Sequence, residues 1–234
     1  MHWEVVTLTD EQQAKPTNEQ GKYSDTAELY DLIPYSRPED DINLFSRSDD
    51  REREVIIGGK DNDWDLYCTG YRRAATVLVN HITQKHYRSL RRDYSSYWES
   101  PAYAIIFLYR HYLELRLKEL ILAYGGNLSV ISNEHSLLKL LNLWKELRKQ
   151  NDVQMEDLDP ETLKYIETAE KIITQFDEID KKSQVFRYPI DRTGRVTVPA
   201  IQFDLVRLKE MLGWTSQFLD GWSTGVYEYR HAHP

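Results

Sequence analysis

The stretch PAYAIIFLYRHYLELRLKELILAYG, residues 101–125, is the longest strongly periodic segment of this 234-residue chain. At about 100° per residue its apolar side chains form two adjacent stripes. The first stripe comprises Ala102, Ile106, Tyr109, Leu113, Leu117, Leu120 and Tyr124, and the second comprises Ile105, Leu108, Tyr112 and Leu115. A helix with so wide an apolar arc is expected to lie between several neighbours. The stretch therefore predicts the central helix of an all-α protein.

One flank of this helix carries charged or titratable side chains at i, i+1, i+4 and i+8, namely Arg110, His111, Glu114 and Lys118. Two interpretations are open. Arg110 and Glu114 stand four residues apart, so they can form an ion pair, extended to Arg187, that satisfies partly buried charges. Alternatively, Arg110, His111 and Arg187 converge to bind an anionic group. In that case Glu114 orients one of the arginines.

His135 and Tyr188 are two further residues with both a structural and a functional interpretation. His135 is predicted in the first turn of the next helix, where it either forms a hydrogen bond with a nearby carbonyl or joins the anion-binding group. Tyr188, beside Pro189, either packs against the bundle or stacks on a nucleic-acid base. The structural role is the simpler interpretation of each.

Apolar periodicity predicts four further helices. The first spans 64–82, the second begins at Ser132 or Asn133, the third begins at Asp159-Pro160, and the fourth spans about 203–219. The first is expected to bury Tyr67, Tyr71, Ala74, Ala75, Leu78 and Ile82, which recur at helical spacing. Ser100-Pro101 predicts the start of the central helix, because proline is well tolerated at the first helical position. Gly125-Gly126 predicts its end.

The segment VFRYPIDRTGRVTV, residues 185–198, reads as two short extended pieces about the turn at 191–194. Residues 1–63 lack sustained periodicity and carry three prolines and several acidic clusters. We therefore predict an irregular, acidic N-terminal extension (1–63) and a helical domain (64–234). The expected fold is an all-α bundle of about five helices with a small extended or hairpin insertion near 185–198.

The charge distribution suggests one basic segment in an acidic protein. The net charge is -8, but residues 64–125 carry nine basic and five acidic side chains. The basic candidates for anion or RNA binding are Arg72, Arg73, Lys85, Arg88, Arg91 and Arg92. Basic residues interleaved with a tyrosine suit phosphate contacts and stacking. The alternative is a solvated loop between two helices.

Several common classes of active site are excluded by the residue patterns. The seven histidines and the single cysteine do not fall at metal-ligand spacing. There is no G-x-S-x-G elbow, and Cys68 falls on a predicted buried helix face, where a thiol is usually inert. The glycine pairs lack the context of a phosphate-binding loop. We therefore predict no metal and no cofactor.

The lone cysteine and the absence of an apolar N-terminal run favour a reducing, cytoplasmic compartment. No apolar run approaches the ~18 residues that a membrane span needs. A cytoplasmic protein without a membrane segment is therefore expected.

Three short motifs resemble bacterial proteins of the HEPN superfamily. They are Arg110-His111 followed by Leu113-Glu114-Leu115 and Lys118, then His135-Ser136-Leu137, and then Phe186-Arg187-Tyr188-Pro189. The resemblance covers roughly residues 64–220. It implies a compact all-α bundle, commonly dimeric, in a superfamily of metal-independent endoribonucleases and of non-catalytic members of toxin–antitoxin and phage-defence systems.

The ribonuclease members of that superfamily typically carry an arginine followed, after four spacers, by a histidine. No histidine of this chain has an arginine five positions before it. Two hypotheses follow. The chain is a non-catalytic interaction or regulatory protein that works as a homodimer or with a protein partner, or it is a metal-independent ribonuclease. In the second case Arg110 or Arg187 stabilises phosphate charge, and His111 or His135 moves protons.

Overall fold

The computed structural model describes residues 63–83, 96–150 and 159–232, with side chains described except at 96–98 and 229–232. These residues form six helices: α1 (Trp64–Ile82), α2 (Ser96–Ala123), α3 (Leu128–Ile131), α4 (Leu137–Gln150), α5 (Pro160–Ile179) and α6 (Leu205–Ala232). The prediction of an all-α bundle is confirmed. The predicted extension 1–63 lies outside the described residues, Asp63 excepted.

Helix α2 is the centre of the bundle. It packs against α1, α4 and α6, while α5 packs against α4 and α6. Every member of its two predicted apolar stripes is buried or half-buried. Tyr112, Leu113, Leu117 and Leu120 are completely inaccessible to solvent. The wide apolar arc of this helix is thus matched by neighbours on three sides, as its sequence predicts.

The start of α2 was predicted wrongly and its end correctly. The helix begins at Ser96, so Pro101 lies inside it and not at its first position. Proline there removes the hydrogen bond to the carbonyl four residues earlier, but the helix continues because the turns that follow are held in the core. At the other end Gly125 adopts φ +83. The Gly126 amide donates to the Ile121 carbonyl at 2.8 Å, which closes a glycine-terminated helix end.

Helix α1 has the predicted bounds, and four of its six predicted core residues, Tyr71, Ala75, Leu78 and Ile82, are buried or half-buried. Cys68, Ala75, Val79 and Ile82 are buried, whereas Tyr67 and Ala74, which were expected inside, are exposed. The apolar spacing of α1 is compatible with burial of either Cys68 and Val79 or Tyr67 and Ala74, and the packing of α1 against α2 decides between them. Small side chains at Cys68 and Ala75 let α1 lie close to α2, its main neighbour.

The later helices also differ from the prediction at their ends. Helix α4 begins at Leu137, after the four-residue α3, so His135 lies in the connection and not in a first helical turn. Asp159 caps α5 as predicted, since its Oδ1 accepts the amide hydrogens of Glu161 and Thr162, both at 3.0 Å. Helix α6 continues to Ala232, well beyond the predicted end near 219.

The connection between α5 and α6 contains the predicted hairpin-like insertion. Ile190 and Val196 form a single antiparallel bridge. Asp191 closes the turn, because its Oδ1 accepts the amide hydrogens of Thr193 at 2.8 Å and Arg195 at 3.0 Å. Within the described part of the chain, no helix combines the length and the apolar character needed to cross a membrane.

Candidate functional site

Arg110 forms the centre of a buried polar cluster. Its side chain is completely inaccessible to solvent. Nη1 donates to Glu114 Oε2 at 2.7 Å, and Nη2 donates to the His135 carbonyl. Nε donates to the Asp180 carbonyl at 3.2 Å and lies 3.4 Å from Asp180 Oδ2. One guanidinium therefore joins α2 to the connection before α4 and to the end of α5.

Glu114 is the second member of the cluster and is shared by three partners. Besides Arg110, Lys118 Nζ donates to its Oε1 at 2.9 Å, and His135 Nδ1 lies 2.9 Å from the same oxygen. Burial alone would raise the pKa of the Glu114 carboxyl. The hydrogen bonds from Lys118 and Arg110 outweigh burial and hold the pKa below its usual value. Glu114 is therefore an ionised, fully engaged carboxylate.

Asp180 connects the cluster to the insertion that follows α5. It is completely buried. Its Oδ1 accepts the amide hydrogens of Gln184 at 2.7 Å and Val185 at 3.1 Å, which fixes the chain as it leaves the helix. The same residue thus ends α5 and meets the Arg110 guanidinium. Sequence reasoning missed Asp180, because its partner on α2 is 70 positions away.

His135 is the member of the cluster that reaches the surface, with 45% of its side chain exposed. Its Nδ1 is held by the Glu114 carboxylate, which leaves Nε2 as the ring nitrogen for other partners. A carboxylate that fixes one ring nitrogen orients the imidazole and supports proton transfer at the other. The Glu114 carboxylate thus holds the His135 ring, in place of the backbone carbonyl expected from the sequence.

His111 and Arg187 lie together beside this cluster, but not as predicted. The His111 ring meets the Tyr71 ring edge-on at 4.5 Å between centroids and stacks on Phe107 at 5.7 Å. The Arg187 guanidinium lies over the same Phe107 ring at 5.7 Å, and its Nε donates to the Ser183 carbonyl. The predicted extension of the Arg110–Glu114 pair to Arg187 is wrong, because Lys118 and His135 take those positions on the carboxylate.

The burial of His111 makes folding stability depend on pH. Burial lowers the pKa of His111 below its ordinary value of 6.5, against the opposing field of Glu114. The folded state therefore favours the neutral ring. The stability that follows is complete above pH 6.5 and is lost as the pH falls from there through the folded-state pKa. The lowered pKa of Glu114 acts only below its ordinary value of 4.5.

Because the lowered pKa of Glu114 has no effect between pH 7.5 and pH 5.5, His111→Phe is expected to reduce the loss of stability over this range. Urea unfolding at both pH values measures this loss, and His81→Phe, on an exposed position of α1, serves as the control. An equal loss in wild type and His111→Phe would contradict the assignment.

A second buried cluster surrounds Arg116, which is 1% exposed. Its guanidinium donates to Asp65 at 2.8 Å, lies 2.9 Å from Asp220 Oδ1 and also pairs with Glu119. Tyr112 donates to the same Asp220 oxygen at 2.9 Å. Sequence reasoning missed this cluster. Its only local signal is the i,i+3 spacing of Arg116 and Glu119, since Asp220 comes from the far end of the chain.

The basic candidates are only partly within the described residues. Arg72 is half-buried, with Nε 3.6 Å from Asp220 Oδ2, and Arg73 is exposed. Lys85, Arg88, Arg91 and Arg92 lie outside the described residues. Tyr188 is 57% exposed on the hairpin-like insertion, so its expected packing against the bundle is limited.

Cys68 was predicted to be a buried, inert thiol, and the structure agrees. It is inaccessible to solvent, and burial raises its pKa to about 12. Among the residues that the structure describes, no three histidine, cysteine, aspartate or glutamate side chains are grouped closely enough to hold a metal ion.

Comparisons with protein-family models, with curated protein sequences and with solved structures found no match to this chain.

Proposed function

We propose that this chain is a non-catalytic, HEPN-like interaction or regulatory protein of a bacterial toxin–antitoxin or phage-defence system, acting in the cytoplasm as a homodimer or with a protein partner. One observation carries the non-catalytic part of the proposal. Arg110, the arginine of the Arg-His motif, is completely buried and uses all three of its nitrogens on Glu114, Asp180 and His135.

A phosphate group would have to compete with these internal partners. Turning the guanidinium outward would leave the Asp180 carboxylate buried without its cation, and Glu114 would keep only Lys118 and His135 as partners. Breaking a buried pair in this way costs about 3–5 kcal/mol. A substrate contact through Arg110 would have to offset that cost, so the geometry favours a structural role for this residue.

An exposed apolar face on α1 supports the interaction part of the proposal. Leu66, Tyr67 and Val77 are more than half exposed, and Gly70 and Ala74 lie between them on exposed positions. Leu66, Gly70, Ala74 and Val77 recur at helical spacing, so they form one stripe. Exposed apolar side chains grouped on one helix face, here beside the exposed Arg73, commonly mark contact surfaces between proteins.

Two measurements test the proposal. Light scattering coupled to size-exclusion chromatography is expected to show a wild-type dimer that Val77→Glu dissociates, whereas Val130→Glu, at an equally exposed site on α3, leaves it intact. A wild-type monomer at all concentrations would contradict the homodimer and leave a different protein as the partner.

An RNA-cleavage assay in EDTA is expected to show no activity. Cleavage by wild type that is lost in both His111→Ala and Arg187→Ala would refute the non-catalytic assignment.

A metal-independent endoribonuclease is the second candidate, and the His135–Glu114 pair favours it. A half-exposed imidazole oriented by a buried carboxylate can act as a general base. His135→Ala therefore belongs in the same EDTA assay, with His81→Ala as an exposed control. Activity that depends on His135 but not on His81 would establish this second function, with RNA as the substrate.

A further inference from the structure

The hairpin-like insertion between α5 and α6 projects from the bundle. Every residue of the run 187–196 is exposed. The base of the run is fixed, because the preceding Phe186 is buried in the core and the following Thr197 donates from Oγ1 to the Val185 carbonyl at 3.1 Å. The insertion is therefore an ordered projection and is held at both of its ends.

This part of the chain is strongly basic. Residues 181–198 carry five basic side chains and one acidic side chain, in a chain of net charge -8. One of the five, Arg187, covers the Phe107 ring, and the single acid, Asp191, uses its Oδ1 to close the turn. The other four are exposed and make no hydrogen bond, ion pair or ring contact with the described part of the chain: Lys181, Lys182, Arg192 and Arg195. The fold leaves these four cations available.

The same segment exposes an apolar face. The Ile190–Val196 bridge is flanked by hydrogen bonds from the Asp191 amide to the Arg195 carbonyl at 2.8 Å and from the Thr197 amide to the Pro189 carbonyl at 3.1 Å. Residues bridged in this way have closely spaced side chains on one face. Ile190 is 54% exposed and Val196 is 77% exposed, and the nearby Tyr188 is 57% exposed. Exposed apolar side chains and available cations thus occur together.

We propose that this insertion binds the surface of a bilayer that contains anionic lipid, with Ile190 and Val196 in the interfacial layer and the four cations at the lipid headgroups. Anionic headgroups complement the charge of the segment. Tyrosine suits the boundary between membrane and water, where Tyr188 would lie. A shallow apolar anchor combined with a polybasic segment is a pair of signals that holds a protein at a membrane.

Other polyanionic partners fit the insertion less well. A nucleic-acid strand packs its bases on aromatic faces, whereas Tyr188 is the one aromatic ring of the exposed run. A stable protein interface buries roughly 800 Å² on each partner, more than three apolar side chains supply. A fluid bilayer needs no partner surface of complementary shape. Screening over roughly 8 Å at physiological salt lets the local charge prevail over distant acidic surfaces. The proposal goes beyond the function proposed above and does not depend on it.

Cosedimentation of the full chain with vesicles tests the proposal, with equal parts of phosphatidylglycerol and phosphatidylcholine against phosphatidylcholine alone. Wild type is expected to bind the anionic vesicles only. Arg192→Gln combined with Arg195→Gln should weaken binding about 30-fold, since each basic side chain near an anionic surface contributes about fivefold. Arg73→Gln combined with Lys164→Gln removes the same charge at exposed positions outside the insertion and should leave binding unchanged. Absence of wild-type binding, or equal losses in the two double variants, would overturn the proposal.

A fluorescent label tests the apolar contact and separates a bilayer from other polyanions. Cys68 is the single cysteine and is inaccessible to solvent, so Val196→Cys can carry an environment-sensitive dye at one exposed site. Its emission is expected to shift to shorter wavelength with the anionic vesicles but not with a single-stranded oligonucleotide. The same dye at Val130→Cys on α3 should shift with neither. A label at position 196 that stays in water in the vesicle-bound protein would overturn the proposal, as would a shift caused by the oligonucleotide alone.

Discussion

Replacing Arg110 by methionine is expected to lower the free energy of unfolding by about 3–5 kcal/mol, the cost of breaking a buried ion pair by removing one partner. Methionine keeps most of the volume but none of the donors. Asp180 Oδ2 and the His135 carbonyl would lose their partner, and Glu114 would keep only Lys118 and His135. Urea unfolding followed by circular dichroism at pH 7.5 measures the change.

The control and a double variant separate this effect from a general loss of charge. Arg73→Met, at an exposed position of α1, is expected to change the stability by less than about 0.5 kcal/mol. Arg110→Met combined with Glu114→Gln should cost less than the sum of the two single changes, because the carboxylate that lost its arginine is then neutral. Additive costs would show that the two side chains do not interact, contrary to the 2.7 Å contact.

The local patterns explain why much of the fold was predictable. Periodicity identified α1 with its bounds and the two apolar stripes of α2, because both depend on residues within a few turns of each other. The choice of the buried face of α1 was not predictable. Tyr67 and Ala74 share the spacing of core residues, and only the fit of α1 against α2 leaves them exposed.

The candidate site shows the same division between local and long-range contacts. The Arg110–Glu114 contact follows from the i,i+4 spacing, and the structure confirms it. Asp180 and the His135 carbonyl come from elements 70 and 25 positions away. Nothing in the sequence fixes which distant groups reach a given guanidinium, so Arg187 was expected where Lys118 and His135 lie. Instead, Arg187 covers the Phe107 ring.

Trp144→Ala is the second change for which we expect a large effect, a loss of about 3–5 kcal/mol in the free energy of unfolding. Trp144 is 1% exposed and meets the Trp222 ring edge-on at 5.6 Å. The Arg148 guanidinium lies 5.2 Å from the Trp144 ring and 5.1 Å from the Trp222 ring. Trp222 Nε1 in turn donates to Tyr124 Oη at 2.7 Å. These contacts join α4 to α6 and to the end of α2.

Truncation to alanine would open a cavity at this junction and remove one of the two aromatic faces that shield the Arg148 charge. Trp144→Phe keeps an aromatic face and is expected to cost less than half as much. Trp214→Ala, on α6, provides the matched control, because this tryptophan is only half-buried against Tyr165 at 4.4 Å and already meets water. Urea unfolding of the three variants measures the differences. Equal losses for Trp144→Ala and Trp214→Ala would contradict the stabilising role assigned to the contacts of Trp144 with Arg148 and Trp222.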